Sequence, residues 1–223
     1  MKDLNGFLIV DKPQGITSHD VVNVIRRKFK MRRVGHAGTL DPLATGVLVI
    51  LLGRSTKLFD KFSSFDKAYE ATMTLGITTD SADIEGKILN QSPCEGVTEN
   101  QILDVFKQFI GDINQTPPMV SAVKVQGKRL YKLARQGIEV KREPRKINIK
   151  SLGLVHLALP EVKFYLECSK GTYVRQLAED VGRVLGCGGC ISQIKRTRIG
   201  NFTIEEAAAL EEISESHIRH WRE

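Results

Sequence analysis

The sequence predicts a largely antiparallel α+β fold, and three observations carry that prediction. Strand and helix patterns are mixed with no regular βαβ repeat, several strand segments alternate apolar and polar residues, and no G-x-G-x-x-G follows a strand. With 223 residues and 41% hydrophobic content, the chain can bury a large core in one or two domains. No apolar run approaches the ~18 residues of a membrane span. The polar start Met1-Lys2-Asp3-Leu4-Asn5 does not read as a signal peptide, so a cytoplasmic protein without a membrane partner is expected.

Phe7-Leu8-Ile9-Val10 reads as a short buried strand ending in the turn Lys12-Pro13-Gln14-Gly15. Thr17 or Ser18 can cap a helix whose apolar positions Val21, Val22, Ile25 and Phe29 recur at helical spacing. A glycine-rich loop, Gly35 to Gly46, then runs into the apolar strand Val47-Leu48-Val49-Ile50-Leu51-Leu52, and a short helix is expected over about 55–62. Tyr69, Ala71, Met73 and Leu75 alternate with polar residues as in a half-buried strand. Thr98 and Gln101 form a capping box before a helix with Ile102, Val105, Phe106 and Phe109 on one face. Lys124 to Arg145 is a basic, turn-rich excursion with a short helix over 129–136, the kind of excursion that serves as a functional loop or lid. Strand alternation resumes at Ile147 and Ile149, and again from Val162 to Cys168. A helix over about 172–185 buries Val174, Leu177, Val181 and Leu185.

The formal charge of +7 favours a polyanionic partner. Basic residues gather at 26–33, at Lys124, Lys128, Arg129, Lys132 and Arg135, at 141–146, and at Lys195, Arg196 and Arg198. Taken together, the clusters point to a phosphate-contacting surface. Cys187-Gly188-Gly189-Cys190 is a CxxC, but Cys94 and Cys168 offer no second ligand pair at metal spacing, and the glycines suit a tight turn.

Asp41 is the first candidate for chemistry. It shares the loop with His36, two hydroxyl residues, Pro42 and three glycines that let backbone or ligand approach closely. A loop Asp-Pro is equally a turn former, so the loop alone leaves both readings open. Arg175 sits in the first turn of a helix, against the helix dipole: it is either an ordinary exposed arginine or one that an anion, carboxylate or phosphate, holds there, and pairing with Asp41 would orient that carboxylate. Tyr69 is either core or a ring stacked on a nucleobase.

The blocks Asp11-Lys12-Pro13-Gln14-Gly15-Ile16-Thr17-Ser18 and Gly35-His36-Ala37-Gly38-Thr39-Leu40-Asp41-Pro42 resemble the opening motifs of bacterial tRNA pseudouridine-55 synthases of the TruB type. So do Gln115-Thr116-Pro117-Pro118-Met119, Ser121-Ala122-Val123-Lys124, Leu133-Ala134-Arg135-Gln136-Gly137 and Cys168-Ser169-Lys170-Gly171-Thr172-Tyr173-Val174-Arg175. The resemblance runs from about Gly6 to Phe202. It implies the pseudouridine synthase fold, with a central, mostly antiparallel mixed sheet, flanking helices and a cleft across the sheet. It also implies isomerisation of the uridine at position 55 in the T loop of tRNA after base flipping, with no cofactor and no metal.

By the same resemblance Asp41 is the catalytic aspartate, acting as nucleophile or as proton acceptor at the sugar. His36 fills the vacated stack, Tyr69 stacks on the flipped base, Tyr173 contacts substrate, and Arg175 pairs with the aspartate. Ile194 stands where leucine is usual and keeps an apolar wall. Lys124, Lys128, Arg129, Lys132 and Arg135 are expected to contact the RNA backbone. The expected organisation is a catalytic domain over 1–203, with the basic excursion at 124–146, and a short helical tail over 204–223 in place of the RNA-binding PUA domain. The expected partner is the tRNA T stem-loop, and no obligate protein partner is evident.

Overall fold

Every residue from Val47 to Leu52 is buried, which demands cover on both faces of a strand. The computed structural model describes residues 4–121, 123–125, 127–134 and 136–221. In chain order the first strands are β1 (Gly6–Lys12), β2 (Val34–Ala37), β3 (Thr45–Leu52), β4 (Lys67–Leu75), β5 (Ile77–Thr79), β6 (Ile88–Gln91) and β7 (Gly111–Gln115). They are followed by β8 (Lys124–Val125), β9 (Lys128–Arg129), β10 (Arg145–Ala158), β11 (Glu161–Cys168), β12 (Gly189–Ile199), β13 (Phe202–Thr203) and β14 (Ala208–Ala209). The helices are α1 (Ser18–Phe29), α2 (Phe59–Ser64), α3 (Glu99–Phe109), α4 (Leu130–Ala134) and α5 (Val174–Leu185), with 3-10 turns at Gly53–Leu58, Ile204–Glu206 and Glu215–His217. Backbone contacts gather the chain into two units, Met1–Glu70 with Ile194–Glu223, and Ala71–Gln193.

In the first unit, β1 pairs antiparallel with Gly46–Leu52 of β3 along the whole length of β1. Leu8, Val10, Leu48, Ile50 and Leu52 project to one face and meet Val21, Val22, Ile25 and Phe29 of α1. Phe7, Ile9, Val47, Val49 and Leu51 project to the other and meet Phe62 of α2 with Phe65, Phe202 and Trp221. The strand therefore reads as a continuous apolar run because both faces are core. Thr17 caps α1: its hydroxyl accepts from the Asp20 amide, and the Asp20 carboxylate accepts from the Thr17 amide.

The residues after Thr203 depart from the expected helical tail. They form 3-10 turns and an edge strand: β14 pairs parallel with β1, and Phe7 and Arg219 exchange backbone hydrogen bonds at 2.8 and 2.9 Å. Leu210 and Ile213 are buried against the α1 face. Covering the open edge of β1 satisfies its backbone groups, which a helix could not do.

In the second unit β10 lies between β11 and β7, antiparallel to both. α3, begun by the expected Thr98–Gln101 capping box, packs on β10 and α5 and stacks Phe106 edge-on against Phe164, 5.9 Å between ring centres. The β8–β9 hairpin opens the basic excursion, and Arg129 belongs to that hairpin rather than to the helix that follows. Among the pairings with a described register, β1–β14 and β3–β12 are parallel and the other named pairings are antiparallel. The architecture is α+β with mixed, mostly antiparallel pairing and flanking helices, as predicted.

Candidate active site

Asp41 lies in the loop between β2 and β3, where one edge of β3 changes its neighbour. β2 pairs with Val49–Leu52 on that edge, while β12 runs parallel beside Thr45 and Gly46. Residues 38–44 leave and rejoin the sheet where β12 takes over from β2. Gly38 and Gly46 bracket the loop with φ of 86° and 96°, a left-handed backbone that glycine adopts without strain. A Cβ on Gly46 would also collide with the Arg196 carbonyl oxygen.

Two buried cations and a hydroxyl hold this loop. Arg196, 1% exposed on β12, donates from Nε to the Val47 carbonyl at 2.8 Å, from Nη2 to Gly38 at 3.0 Å and from Nη1 to Thr39 at 3.4 Å. Lys12, fully buried at the end of β1, donates from Nζ to the carbonyls of Pro13 (2.7 Å), Ile16 (2.8 Å) and Pro42 (3.4 Å). The Ser18 hydroxyl donates to the Leu40 carbonyl at 2.9 Å and accepts from the Leu40 amide at 2.8 Å. The Ala44 amide donates to the Asp41 carbonyl and the Gly15 amide to that of Pro42. Every carbonyl from Gly38 to Pro42 therefore has a donor, and the backbone carrying Asp41 is fixed on both sides.

Burial lowers the Lys12 pKa to about 8; the Asp41 charge opposes this fall, and Arg196 adds to it. Arg196 is thus no phosphate contact, although it belongs to a sequence cluster of cations. A sequence scan counts it as surface charge; its signal lay in strand alternation beside exposed Lys195, and in the glycine opposite it.

His36 sits on β2, opposite Ile50, and not in the irregular part of the loop. It is half-buried, and its Nδ1 atom is buried without a hydrogen-bond partner. Burial first, then the charges of Arg196 and His19, push its pKa down to about 4, so the ring is neutral at physiological pH. Tyr69 is buried on β4. Ile194 packs beside the core cluster that contains Leu40.

The second unit holds Arg175 and Tyr173. Arg175 is buried in the first turn of α5 and finds the anion its position calls for in Asp83, 3.4 Å away. Its guanidinium also donates to the carbonyls of Ser81 and Val120. The other oxygen of Asp83 accepts from the Ser81 hydroxyl at 2.7 Å and the Glu85 amide at 3.2 Å. The sequence reading missed Asp83, whose only signal was a polar loop. Gln115 bonds both backbone groups of Tyr173, accepting from its amide at 2.8 Å and donating to its carbonyl at 3.1 Å, so it anchors the entry to α5.

In the basic excursion, exposed Lys128, Arg129 and Lys132 line an open cavity of about 560 Å³ with Tyr131 and Gln136. Lys124 begins the hairpin, and Arg135 lies outside the described residues. Cys187 and Cys190 are buried thiols, and burial pushes Cys190 up to about 11. The intervening glycines have a packing reason: Gly188 has a φ of 77° and a Cβ on it would collide with Thr78, while a Cβ on Gly189 would crowd the Ala178 carbonyl oxygen.

Residues 26–174 match the TruB family pseudouridylate synthase (N terminal domain), and residues 175–223 match the tRNA pseudouridylate synthase B C-terminal domain. The tRNA pseudouridine synthase B of Opitutus terrae is 49% identical over 95% of this chain and 88% of its own. That of Clostridium tetani is 47% identical over 98% of this chain and 75% of its own. Among solved structures, a chain of a Cbf5-Nop10-Gar1 complex superposes with a TM-score of 0.72 at 31% identity, over 92% of this chain. A chain of an H/ACA RNP bound to a substrate RNA containing 2'-deoxyuridine superposes with a TM-score of 0.68 at 28% identity. This chain spans about half the length of those two solved chains, 52% and 51%.

Proposed function

Because the chain belongs to the TruB family of pseudouridylate synthases, we propose that it converts the uridine at position 55 in the T loop of tRNA to pseudouridine, with Asp41 as the catalytic residue. The reaction breaks the N1–C1′ glycosidic bond, turns the base and joins C5 to C1′. The C5 proton leaves and N1 gains one, so the product is an isomer and the balance calls for no oxidant or reductant. Asp41 serves either as nucleophile at the sugar or as acceptor of a sugar proton, and both routes need a carboxylate held still.

The observation that carries this reading is the engagement of every carbonyl from Gly38 to Pro42. A carboxylate on so constrained a backbone loses little freedom on reaching the reacting geometry. The target base must leave its stack, at a cost of about a few kcal/mol. His36 fills the vacated place, and a neutral ring suits a position between bases. Tyr69 stacks on the flipped base, Tyr173 contacts substrate, and Ile194 contributes an apolar wall. Lys124, Lys128, Arg129, Lys132 and Arg135 contact the RNA backbone.

Asp41→Asn tests the assignment. Release of hydrogen from C5 of labelled tRNA should stop, while tRNA affinity stays within a few-fold, since phosphate contacts dominate binding. Retained turnover would remove Asp41 from the chemistry. Hydrogen release that persists from transcripts lacking the T-loop uridine would overturn the choice of position 55.

A further inference from the structure

We propose that Gln115 is a positioning residue for the reaction: its side chain clamps the backbone of Tyr173 and so sets the Tyr173 ring against the substrate, an inference that rests on Tyr173 contacting substrate. Gln115 ends β7 and pairs with Arg145, the first residue of β10, so the basic excursion leaves and rejoins the sheet at this pair. Gln115 is 3% exposed. Its Oε1 accepts from the Tyr173 amide at 2.8 Å, and its Nε2 donates to the Tyr173 carbonyl at 3.1 Å. One planar carboxamide meets both groups in a single orientation, because one of its ends accepts and the other donates. The path of the chain at Tyr173, and with it the direction in which the ring leaves the backbone, is thereby tied to β7.

Local sequence holds this position poorly. Tyr173 is the N-cap residue of α5 and makes no side-chain capping bond, a task that serine, threonine, asparagine and aspartate perform better. Thr172 next to it turns its hydroxyl to the Ser169 carbonyl at 3.0 Å instead. A helix start that needed only stability would carry its own cap. Here a tyrosine takes the place, and the hold comes from another strand. A residue that local preference disfavours, supported from a distance, marks a site where function decides the residue. The same helix start is tied to the excursion a second time. Five residues beyond Gln115, the Val120 carbonyl accepts from Arg175, two residues beyond Tyr173. Arg142 closes the root of the excursion by donating to the Pro117 carbonyl at 3.2 Å. Gln115 and Val120 thus join the segment bearing exposed Lys128, Arg129 and Lys132 to the start of α5, and RNA gripped by that segment bears on the root that holds Tyr173.

The test measures kcat and KM for hydrogen release from labelled tRNA with wild type, Q115L, Q115E, Y173A and the double variant Q115L/Y173A, with thermal unfolding to verify folding. Folded Q115L should lose about 10²-fold in kcat through a misplaced ring, while KM stays within a few-fold because phosphate contacts dominate binding. In the Y173A background the same change should cost less than about twofold more, since the ring it serves is gone. A side chain that merely supports the fold would cost the same in both backgrounds. Q115E keeps the shape and probes the bonds themselves. Its ionised carboxylate can accept from the Tyr173 amide but offers the Tyr173 carbonyl no proton; burial raises the pKa of such a group, and protonation restores the donor. The kcat of Q115E relative to wild type should therefore climb as pH falls from about 8 to about 6, with that of Q115L level. This profile decides the matter where Q115L does not fold. Wild-type kcat in folded Q115L, an equal loss with and without the ring, or a level Q115E profile overturns the proposal. So does a Y173A variant that turns over like wild type, which leaves the assignment of Asp41 standing. A wild type that releases no hydrogen contradicts the proposed function itself, and the proposal falls with it.

Discussion

The guanidinium of Arg196 lies 3.0 Å from the carbonyl oxygen of Gly38, three residues before Asp41, and it reaches Thr39 and Val47 as well. One buried side chain from β12 thereby sets the path of a loop that belongs to another strand pair. Within the loop only the Asp41 carbonyl finds a loop donor, the Ala44 amide, among the carbonyls from Gly38 to Pro42; the others are met from outside it. A charged donor with several N–H groups in one plane can satisfy several diverging carbonyls at once.

Replacing Arg196 with Lys should therefore fail to restore the loop, although the charge is kept. A lysine ammonium can reach one or two of these carbonyls but not all three. Arg196→Lys is expected to cost about 3 kcal/mol of stability through buried acceptors left without donors, and turnover should fall by about 10²-fold through misplacement of Asp41. Urea unfolding and hydrogen release measure the two effects; a near-neutral substitution would show that the loop holds its path without Arg196.

Lys12 carries a different signature because burial lowers its pKa from 10.5 to about 8. Between pH 8 and 10.5 the unfolded chain binds the proton while the folded chain has released it. The unfolded state then holds more protons, so the stability contributed by this site rises with pH across that window, and the full cost of the buried charge applies below it. Stability of wild type relative to Lys12→Met should rise between pH 8 and pH 10 in urea titrations. A flat difference would mean that Lys12 keeps its ordinary pKa in the folded protein.

Much of this architecture was legible in the sequence where side chains alone decide the outcome. The spacing of Val21, Val22, Ile25 and Phe29 fixed the buried face of α1, and the unbroken run Val47–Leu52 marked a strand with two covered faces. Hidden from sequence were features made by distant partners or by backbone alone. Arg196 reads as surface charge until Gly46 opposite it shows how close the chains run. Asp83 meets Arg175 across 92 positions of chain. Ala208 and Ala209 pair with β1 only through backbone groups, so a segment that reads as helical closes a sheet edge.

The Arg175–Asp83 pair should behave as a buried unit. Asp83→Leu takes a carboxylate from beside a guanidinium that is 4% exposed, and is expected to cost about 3 kcal/mol. Arg175→Leu strands the carboxylate in the same way. The double substitution should cost clearly less than the sum, because it removes both charges from the interior. A double-mutant cycle in urea measures the coupling; additive costs would show that Asp83 does not hold the arginine.

His36 gives the acid counterpart to Lys12. Its pKa falls from 6.5 in the free chain to about 4 in the folded one, chiefly through burial. Between these values the unfolded chain takes up a proton that the folded chain refuses. The unfolded state again holds more protons, so stability here also rises with pH and is lost as pH falls from 6.5 toward 4. At pH 5 the loss from this residue amounts to about 2 kcal/mol. Protonation would put a charge beside Arg196 and a donor on an Nδ1 atom that faces no acceptor. The stability of wild type relative to His36→Gln should therefore fall by about 2 kcal/mol between pH 7 and pH 5, with little further change below pH 4. A difference that stays constant over this range would place the imidazole in water, and a neutral ring poised to enter a base stack would have to be abandoned.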